Sequence, residues 1–377
     1  MTAFLSDQDV AQQVLAHIDN KTTDIGETVW REPVQNYRCP RRFEEEIHTV
    51  LRRYPMPFCP SAALPENGSY VARTAAGIPL VVVRGEDGVV RGFRNACRHR
   101  GVQVAEGSGC AKAFRCNYHG WTYRLDGGLQ HIPHEQGFPD LDKQQHALVP
   151  VQVQEKAGLI FVTQEDAAIT AELDQLPQLF SEKQQLFNSN EYTLDLNWKV
   201  FLESFLEGYH IKPAHKETFY PFGFDNLNLV ETVGRNSRIT FPFQRIKKLQ
   251  DIEPARREVE GLLTYVYHLF PNVTIAVLSH HTTMLVMEPV SVNKTQIITY
   301  SLTNNALEGE EAVAKARHDA TFVSDTGQTE DIALAKSIQA SLHSGANEHF
   351  TFGRYEKLIG HFHRNMQSLL AEQQAGN

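Results

Sequence analysis

Cys97, His99, Cys116 and His119 fall as Cys-x-His, sixteen intervening residues, then Cys-x-x-His. Thiolate and imidazole are both metal-binding groups, and each short segment offers one of each. A Rieske [2Fe–2S] centre asks for that set: two Cys hold one iron and two His the other, which raises the potential above that of an all-Cys cluster. A structural zinc site of Cys₂His₂ type is the alternative. Zinc fingers, however, pair Cys with Cys and His with His along the chain. Gly101 and Gly120 close the two segments, where a backbone must bend tightly and come near inorganic sulfide. The set therefore reads as an iron–sulfur cluster.

A second constellation lies further on, in Glu203-Ser204-Phe205-Leu206-Glu207-Gly208-Tyr209-His210-Ile211-Lys212-Pro213-Ala214-His215. On an unbroken helix the rings of His210 and His215 would stand about 140° apart. A helix that breaks at Pro213 brings both onto one ion. Two His and one carboxylate leave open positions on ferrous iron for O₂ and substrate. Asp331, in Glu330-Asp331-Ile332 at the start of a helix, is the best candidate for the carboxylate. By themselves the two histidines would read as ordinary helix-end residues; beside an electron-delivery centre they read as its destination.

The elements that must position these groups fall into two patterns. Runs at Tyr70–Thr74, Leu80–Arg84, Val89–Arg94, Val149–Val153 and Leu159–Val162, split by turns such as Glu86-Asp87-Gly88, predict a small antiparallel β domain whose two ligand loops meet at one tip. Helices are expected at Asp7–Ile18 and Phe43–Arg53, and helical spacing continues over Ala171–Phe187. Trp198, Phe201, Leu202, Phe205 and Leu206 recur at helical spacing and predict a helix over Asn197–Tyr209. Six strands from Leu229 to Thr303 and two helices, Thr329–Ser341 and Gly353–Ala371, suit a curved antiparallel sheet gripping a long C-terminal helix. The fold class is α+β, with 1–42 an N-terminal segment packing on the catalytic domain, 43–163 the cluster domain and 164–377 the catalytic domain.

Composition sets limits. Hydrophobic residues make up 41% and charged residues 21% of 377, the balance of a soluble globular protein. A net charge of −9 and the lack of a Lys/Arg run speak against nucleic acid. No apolar run approaches the length of a membrane span. Cys39, Cys59 and Cys110 form no disulfide framework, and Met1–Ile18 lacks the pattern of a secretory signal, so a cytoplasmic location is expected.

With these residues in view, the chain resembles the oxygenase (alpha) component of Rieske non-haem iron oxygenases, from about residue 40 to 370. The two cluster motifs, the Asn197-Trp198-Lys199 lead-in, the His pair and Glu330-Asp331 carry the resemblance, in that order. It implies a Rieske domain inserted in a helix-grip catalytic domain, with Fe(II) held by His210, His215 and Asp331. It also implies that Glu207, three residues before the first iron-binding His, bridges to a cluster His of the neighbouring subunit in a head-to-tail homotrimer. The expected activity is hydroxylation, or oxidative demethylation or cleavage, of a small organic substrate with O₂. Ser204 departs from the Asn common in the family. Ring dioxygenases commonly carry Asp at the position of Glu207; Glu there resembles the branch acting on carnitine and choline, so a quaternary ammonium substrate is the alternative to an aromatic one. A non-enzymatic electron carrier or zinc scaffold is the remaining reading.

No nicotinamide or flavin fingerprint and no ferredoxin-type Cys run appears, so a separate reductase or ferredoxin must supply electrons. Arg94, Arg98, Arg100, Lys112 and Arg115 form a candidate docking rim for an acidic donor. Phe201, Phe205, Phe241, Phe243, Tyr265, Tyr267, Phe270, Leu278 and Met284 are the candidate pocket walls, suiting a flat ring or a trimethylammonium group.

Overall fold

The computed structural model describes residues 3–165, 171–304, 309–325 and 329–376. Two compact units emerge: one of Met1–Val50, Ala171–Pro177 and Lys183–Asn377, the other of Leu51–Thr170 with Gln178–Glu182.

The smaller unit is a seven-stranded antiparallel sheet. Its strands run in the order Met56–Pro60, Leu159–Thr163, Pro150–Lys156, Val90–Arg94, Ile78–Arg84, Ser69–Ala75 and Gly107–Cys110. In the central Ile78–Arg84 strand, Leu80 to Val83 are all buried, because both faces are covered. A three-stranded sheet, Phe114–Arg115, Thr122–Tyr123 and Leu129–His131, carries the second ligand loop. Phe93, Phe114, Trp121, Tyr123 and Leu148 pack with Cys97 and Cys116 into one apolar core, which anchors the roots of both loops.

The larger unit is built on a second antiparallel sheet of seven strands. Their order is Leu186–Leu194, Lys294–Thr303, His281–Ser291, Val273–Val277, Leu263–Leu269, Asn236–Pro242 and Leu229–Val233. The C-terminal Lys357–Gly376 helix places Phe362 against Trp198, His268 and Phe270, so one buried ring ties that helix to the sheet and to the helix leading to the His pair. Trp198–Glu203 is buried along its whole length. Asn197 caps it, accepting from Lys199 N–H at 3.0 Å and donating to the carbonyls of Tyr37 and Val292. Lys199 is neutralised by Glu46 at 2.6 Å, as a buried ammonium must be.

Several expectations change. The Asn197–Tyr209 helix ends early: a 3₁₀ turn takes Ser204–Leu206 and Glu207 is fully extended. The break is therefore at Glu207, not at Pro213. Pro213 lies inside the short Ile211–Ala214 helix, within its first turn, where a missing N–H costs nothing. The region Ala171–Phe187 holds only a 3₁₀ turn at Ala171–Gln175 and then enters the Leu186–Leu194 strand, an edge strand with mostly exposed side chains and hence no apolar alternation to read. The Glu310–Val323 helix was not expected, because its buried face is made of Ala312 and Ala316. Phe43–Arg53 divides into a Pro40–Glu46 helix and a π turn at Ile47–Leu51.

Candidate metal centres

The two cluster loops are built alike. Gly101 N–H donates to Cys97 O at 2.8 Å and Gly120 N–H to Cys116 O at 2.9 Å. Cys97 N–H donates to Val102 O and Cys116 N–H to Trp121 O, both at 2.8 Å. Each loop thus closes on its own cysteine, and each closing glycine has φ near the left-handed region, +81° and +74°. Both cysteines are buried, and the His99 and His119 rings lie with centroids 4.6 Å apart. Trp121 stacks on His99 at 5.0 Å.

Two details test whether this set fits a cluster. His99 Nδ1 is buried with no hydrogen-bond partner, which is costly unless a metal takes the lone pair. Tyr123 Oη accepts from Arg98 N–H at 2.8 Å, so its single proton is free to point at Cys97 Sγ, 3.2 Å away. A donor aimed at sulfur suits a thiolate ligand. The residues fit a [2Fe–2S] group.

In the larger unit, ligand atoms of His210, His215 and Asp331 lie within 4.8 Å of one another. His210 and His215 flank the short Ile211–Ala214 helix, and Asp331 comes from the first turn of Thr329–Ser341. Asp331 Oδ1 is 3.0 Å from His215 Nε2 and 3.5 Å from His210 Nε2. The opposite ring nitrogens are also taken: His215 Nδ1 by Glu330 at 2.7 Å, and His210 Nδ1 by Glu207. Thr218 Oγ1 donates to the same Glu330 oxygen at 2.7 Å. Each imidazole thus keeps its proton on Nδ1 and turns Nε2 inward, the arrangement of a metal-ligating His with a carboxylate behind it.

Burial alone would lower the His210 imidazole, but hydrogen bonds and charge from Asp331 and Glu207 lift it to about 10. The same balance raises His215, and the two histidines hold Asp331 below the usual carboxylate range despite its burial. A site that attracts positive charge this strongly suits a divalent cation. Glu207 also accepts from the Tyr209 and His210 backbone N–H groups. Gly208 leaves room there for the buried Asn228 side chain, since a Cβ would come within 2.1 Å of Asn228 Oδ1 and that amide would have to shift.

A cavity of about 400 Å³ is lined by His210, His215 and Asp331 and by seven phenylalanines, among them Phe205, Phe219, Phe241, Phe243 and Phe322. Of the expected wall residues, Phe205, Phe241, Phe243 and Leu278 line it; Phe201, Tyr265, Tyr267, Phe270 and Met284 do not. Strand parity explains three of them. Thr264 and Val266 face the cavity, so Tyr265 and Tyr267 face away, where Arg238 lies 4.4 Å over the Tyr265 ring. Ala276 faces the cavity, so Ile275 and its cross-strand partner Met284 do not. Phe201 packs edge-on behind Phe205 at 5.2 Å, and Phe270 packs on Phe362. Phe219, Phe222 and Phe224 were missed, though the aromatic run directly after His215 was a legible signal.

Residues 54–155 match the Rieske [2Fe-2S] domain family, and residues 182–372 match the ring hydroxylating alpha subunit (catalytic domain). The carnitine monooxygenase oxygenase subunit of Acinetobacter pittii is 30% identical over 340 residues, 84% of this chain and 86% of that protein. Chloroplastic choline monooxygenase of Spinacia oleracea is 25% identical over 357 residues, 90% of this chain and 78% of its own. The fold is shared with a quaternary ammonium Rieske monooxygenase solved with L-carnitine (TM-score 0.76, 23% identity, 97% of this chain and 99% of that one). It is shared equally with naphthalene 1,2-dioxygenase from Rhodococcus sp. (TM-score 0.76, 19% identity, 98% and 100%). The zinc and electron-carrier readings fall away, because neither accounts for a ring-hydroxylating catalytic domain downstream of the cluster domain. The chain belongs to the Rieske non-haem iron oxygenases as an oxygenase alpha subunit, an oxidoreductase that takes O₂ and draws its electrons from a separate donor.

Proposed function

We propose that this oxygenase hydroxylates a C–H bond of a small, largely apolar substrate, with an aromatic ring as the body that best fits its walls. The observation that carries the reading is the phenylalanine-lined cavity that also presents His210, His215 and Asp331. A second reading, oxidation of a methyl-bearing quaternary ammonium compound, is favoured by the carnitine and choline monooxygenases among its relatives and by the attraction of a trialkylammonium to phenyl faces.

When bound, the cluster supplies single electrons and the Fe(II), held by His210, His215 and Asp331, supplies activation of O₂. Glu207 and Glu330 fix the two imidazoles with the proton on Nδ1, and the phenylalanine walls exclude water around a buried substrate. Monooxygenation consumes RH, O₂, two electrons and two protons and yields ROH and water. If the hydroxylated carbon bears nitrogen or oxygen, the product collapses with C–N or C–O cleavage.

The electron donor is a reductase, directly or through a ferredoxin. The working assembly is a homotrimer in which Glu207 meets a cluster histidine of a neighbouring copy; exposure of the His119 ring supports this. Among the described residues no helix is long and apolar enough to cross a membrane.

The test is turnover by the iron-loaded protein with a surrogate reductase, on aromatic acids and on carnitine, choline and betaines. Oxygenated product from a ring compound supports the first reading, and from a betaine the second. Product from neither class, in protein holding three irons (two in the cluster, one mononuclear), overturns both.

A further inference from the structure

Among the described residues that line the cavity, Arg245 is the one arginine or lysine. It follows the Asn236–Pro242 strand and is pinned on three sides. Nε donates to Gly261 O at 2.6 Å, Nη2 donates to Ser279 Oγ at 3.1 Å, and the guanidinium carbon lies 4.4 Å from the Phe243 ring centroid. No carboxylate is paired with it among the described residues, and Nη1 has no partner. Pinning an exposed arginine costs rotamer entropy. What results is orientation: the terminal edge, formed by Nη1 and the second N–H of Nη2, is left as a planar two-pronged donor.

Its place in the cavity matters as much as its geometry. His215 packs on Phe219 at 5.0 Å, and Phe219 on Phe322 at 6.3 Å. Phe322 lies one helical turn from Asp319, whose carboxylate accepts from His281 Nδ1 at 2.8 Å and from His280 N–H at 3.3 Å. Ser279, next along the chain, holds Arg245. Phe219 and Phe322 thus run from His215 to the helix of Asp319, which is bonded next to the Ser279 that holds Arg245, and Ser279, His280 and Asp319 line the cavity together with Arg245. Asp319 is committed to its two histidines and does not neutralise the arginine.

We infer that Arg245 is a specificity residue that anchors a carboxylate of the substrate, so that the apolar remainder extends along the phenylalanine walls toward the ligand set. The inference rests on the reading that this cavity binds the substrate. It applies to an aromatic acid and to a betaine alike, since both present the same planar oxyanion. A forked arginine matches that shape in a way a lysine does not.

Wild-type, Arg245→Gln and Arg245→Lys proteins would be compared on two matched pairs: 3-phenylpropionate against 3-phenylpropionamide, and γ-butyrobetaine against its amide. Binding is read by anaerobic calorimetry and turnover by product formation. The acid of at least one pair should be favoured by roughly 10- to 100-fold in KM in wild type, as expected for a charge-assisted pair. That ratio should fall toward one in Arg245→Gln with a much smaller change in kcat, and Arg245→Lys should lie between. The pair that responds identifies whether the oxyanion arrives on a ring or on a betaine. Iron content and the rate of cluster reduction, which need no substrate, report whether each variant is folded and loaded. Equal treatment of acid and amide by wild type, or a proportional loss for both in Arg245→Gln, overturns the anchor alone. Binding of no compound to iron-loaded wild type overturns the cavity reading as well.

Discussion

Glu330 and Asp331, adjacent in sequence, grip opposite edges of one imidazole: Glu330 takes His215 Nδ1 at 2.7 Å and Asp331 faces His215 Nε2 at 3.0 Å. Thr218 fixes the Glu330 carboxylate from the side. Removing Glu330 leaves a buried N–H unsatisfied and frees the ring to turn. Glu330→Ala should lower affinity for Fe(II) by roughly 10- to 100-fold, the usual cost of losing such a carboxylate. Chelator competition measures it. The visible spectrum of the cluster, held in the other unit, should not change; unchanged iron affinity would show that Glu330 does not orient the ligand.

Glu207 has the corresponding relation to His210, and its extended backbone turns the chain out of the preceding helix. As proposed for the trimer, it also joins a ligand to a cluster histidine on another copy. Glu207→Gln keeps the size and one acceptor but removes the charge. Both centres should load, while single-turnover cluster oxidation slows and no longer keeps pace with product. A variant with wild-type coupling between the two would refute the bridge.

Tyr123 Oη, locked by Arg98 N–H, aims its proton at Cys97 Sγ. A hydrogen bond to a cluster thiolate stabilises the reduced, more negative state. Tyr123→Phe removes that donor and should lower the midpoint potential by about 60 mV, the one-electron equivalent of a bond of about 1.4 kcal/mol. Protein-film voltammetry reads this directly, and a potential unmoved or raised would rule the donor out.

What the sequence made legible was local. The cluster loops each close within six residues, so their spacing could be read without any long-range contact, and the aromatic lead-in to the His pair announced a buried helix. Which residue breaks that helix was hidden: Pro213 is the louder signal, but the turn falls at Glu207, whose carboxylate accepts from the Tyr209 and His210 backbone N–H groups and from His210 Nδ1. Strand register was hidden too. Nothing in Leu263–Leu269 says whether Thr264 or Tyr265 faces the cavity, because both faces of that strand are covered. Arg245 and Asp319 reach the cavity from segments whose patterns carry no catalytic signature.

Arg98 and Arg115 are exposed on or beside the cluster loops, as are Arg94, Arg100 and Lys112. Arg98 is lightly tethered to Ala147 O, so its charge remains available to solvent. In a protein of net charge −9, this rim is where an acidic donor would be attracted. Arg98→Glu with Arg115→Glu should slow cluster reduction by roughly 10-fold or more at low ionic strength, and the deficit should shrink as salt screens the field. Stopped-flow reduction at two salt concentrations decides the point; identical rates remove the rim from consideration.

Glu203, one turn before Glu207, titrates in a setting of its own. Tyr37 donates to it at 2.6 Å and His363 Nε2 lies 2.8 Å away, with Glu32 behind that ring at 3.5 Å and the Lys199–Glu46 pair on the same helix and its neighbour. Burial pushes the Glu203 carboxyl from 4.5 up to about 8, against the pull of Tyr37 and Lys199. Because the folded state then holds its proton more tightly than the unfolded chain, this group's contribution to stability is full below 4.5 and drains as pH rises through about 8. His363, lowered to about 4 chiefly by burial, acts on the acid side instead, where stability is lost as pH falls from 6.5. Between about pH 6.5 and 9 the two effects separate. Wild type should lose thermal stability across that window, and Glu203→Gln, which cannot titrate, should lose distinctly less, as read by calorimetric Tm at each pH. Parallel Tm curves for the two proteins would mean that Glu203 binds no more proton in the folded than in the unfolded chain over this range, so that it is ionised at neutral pH.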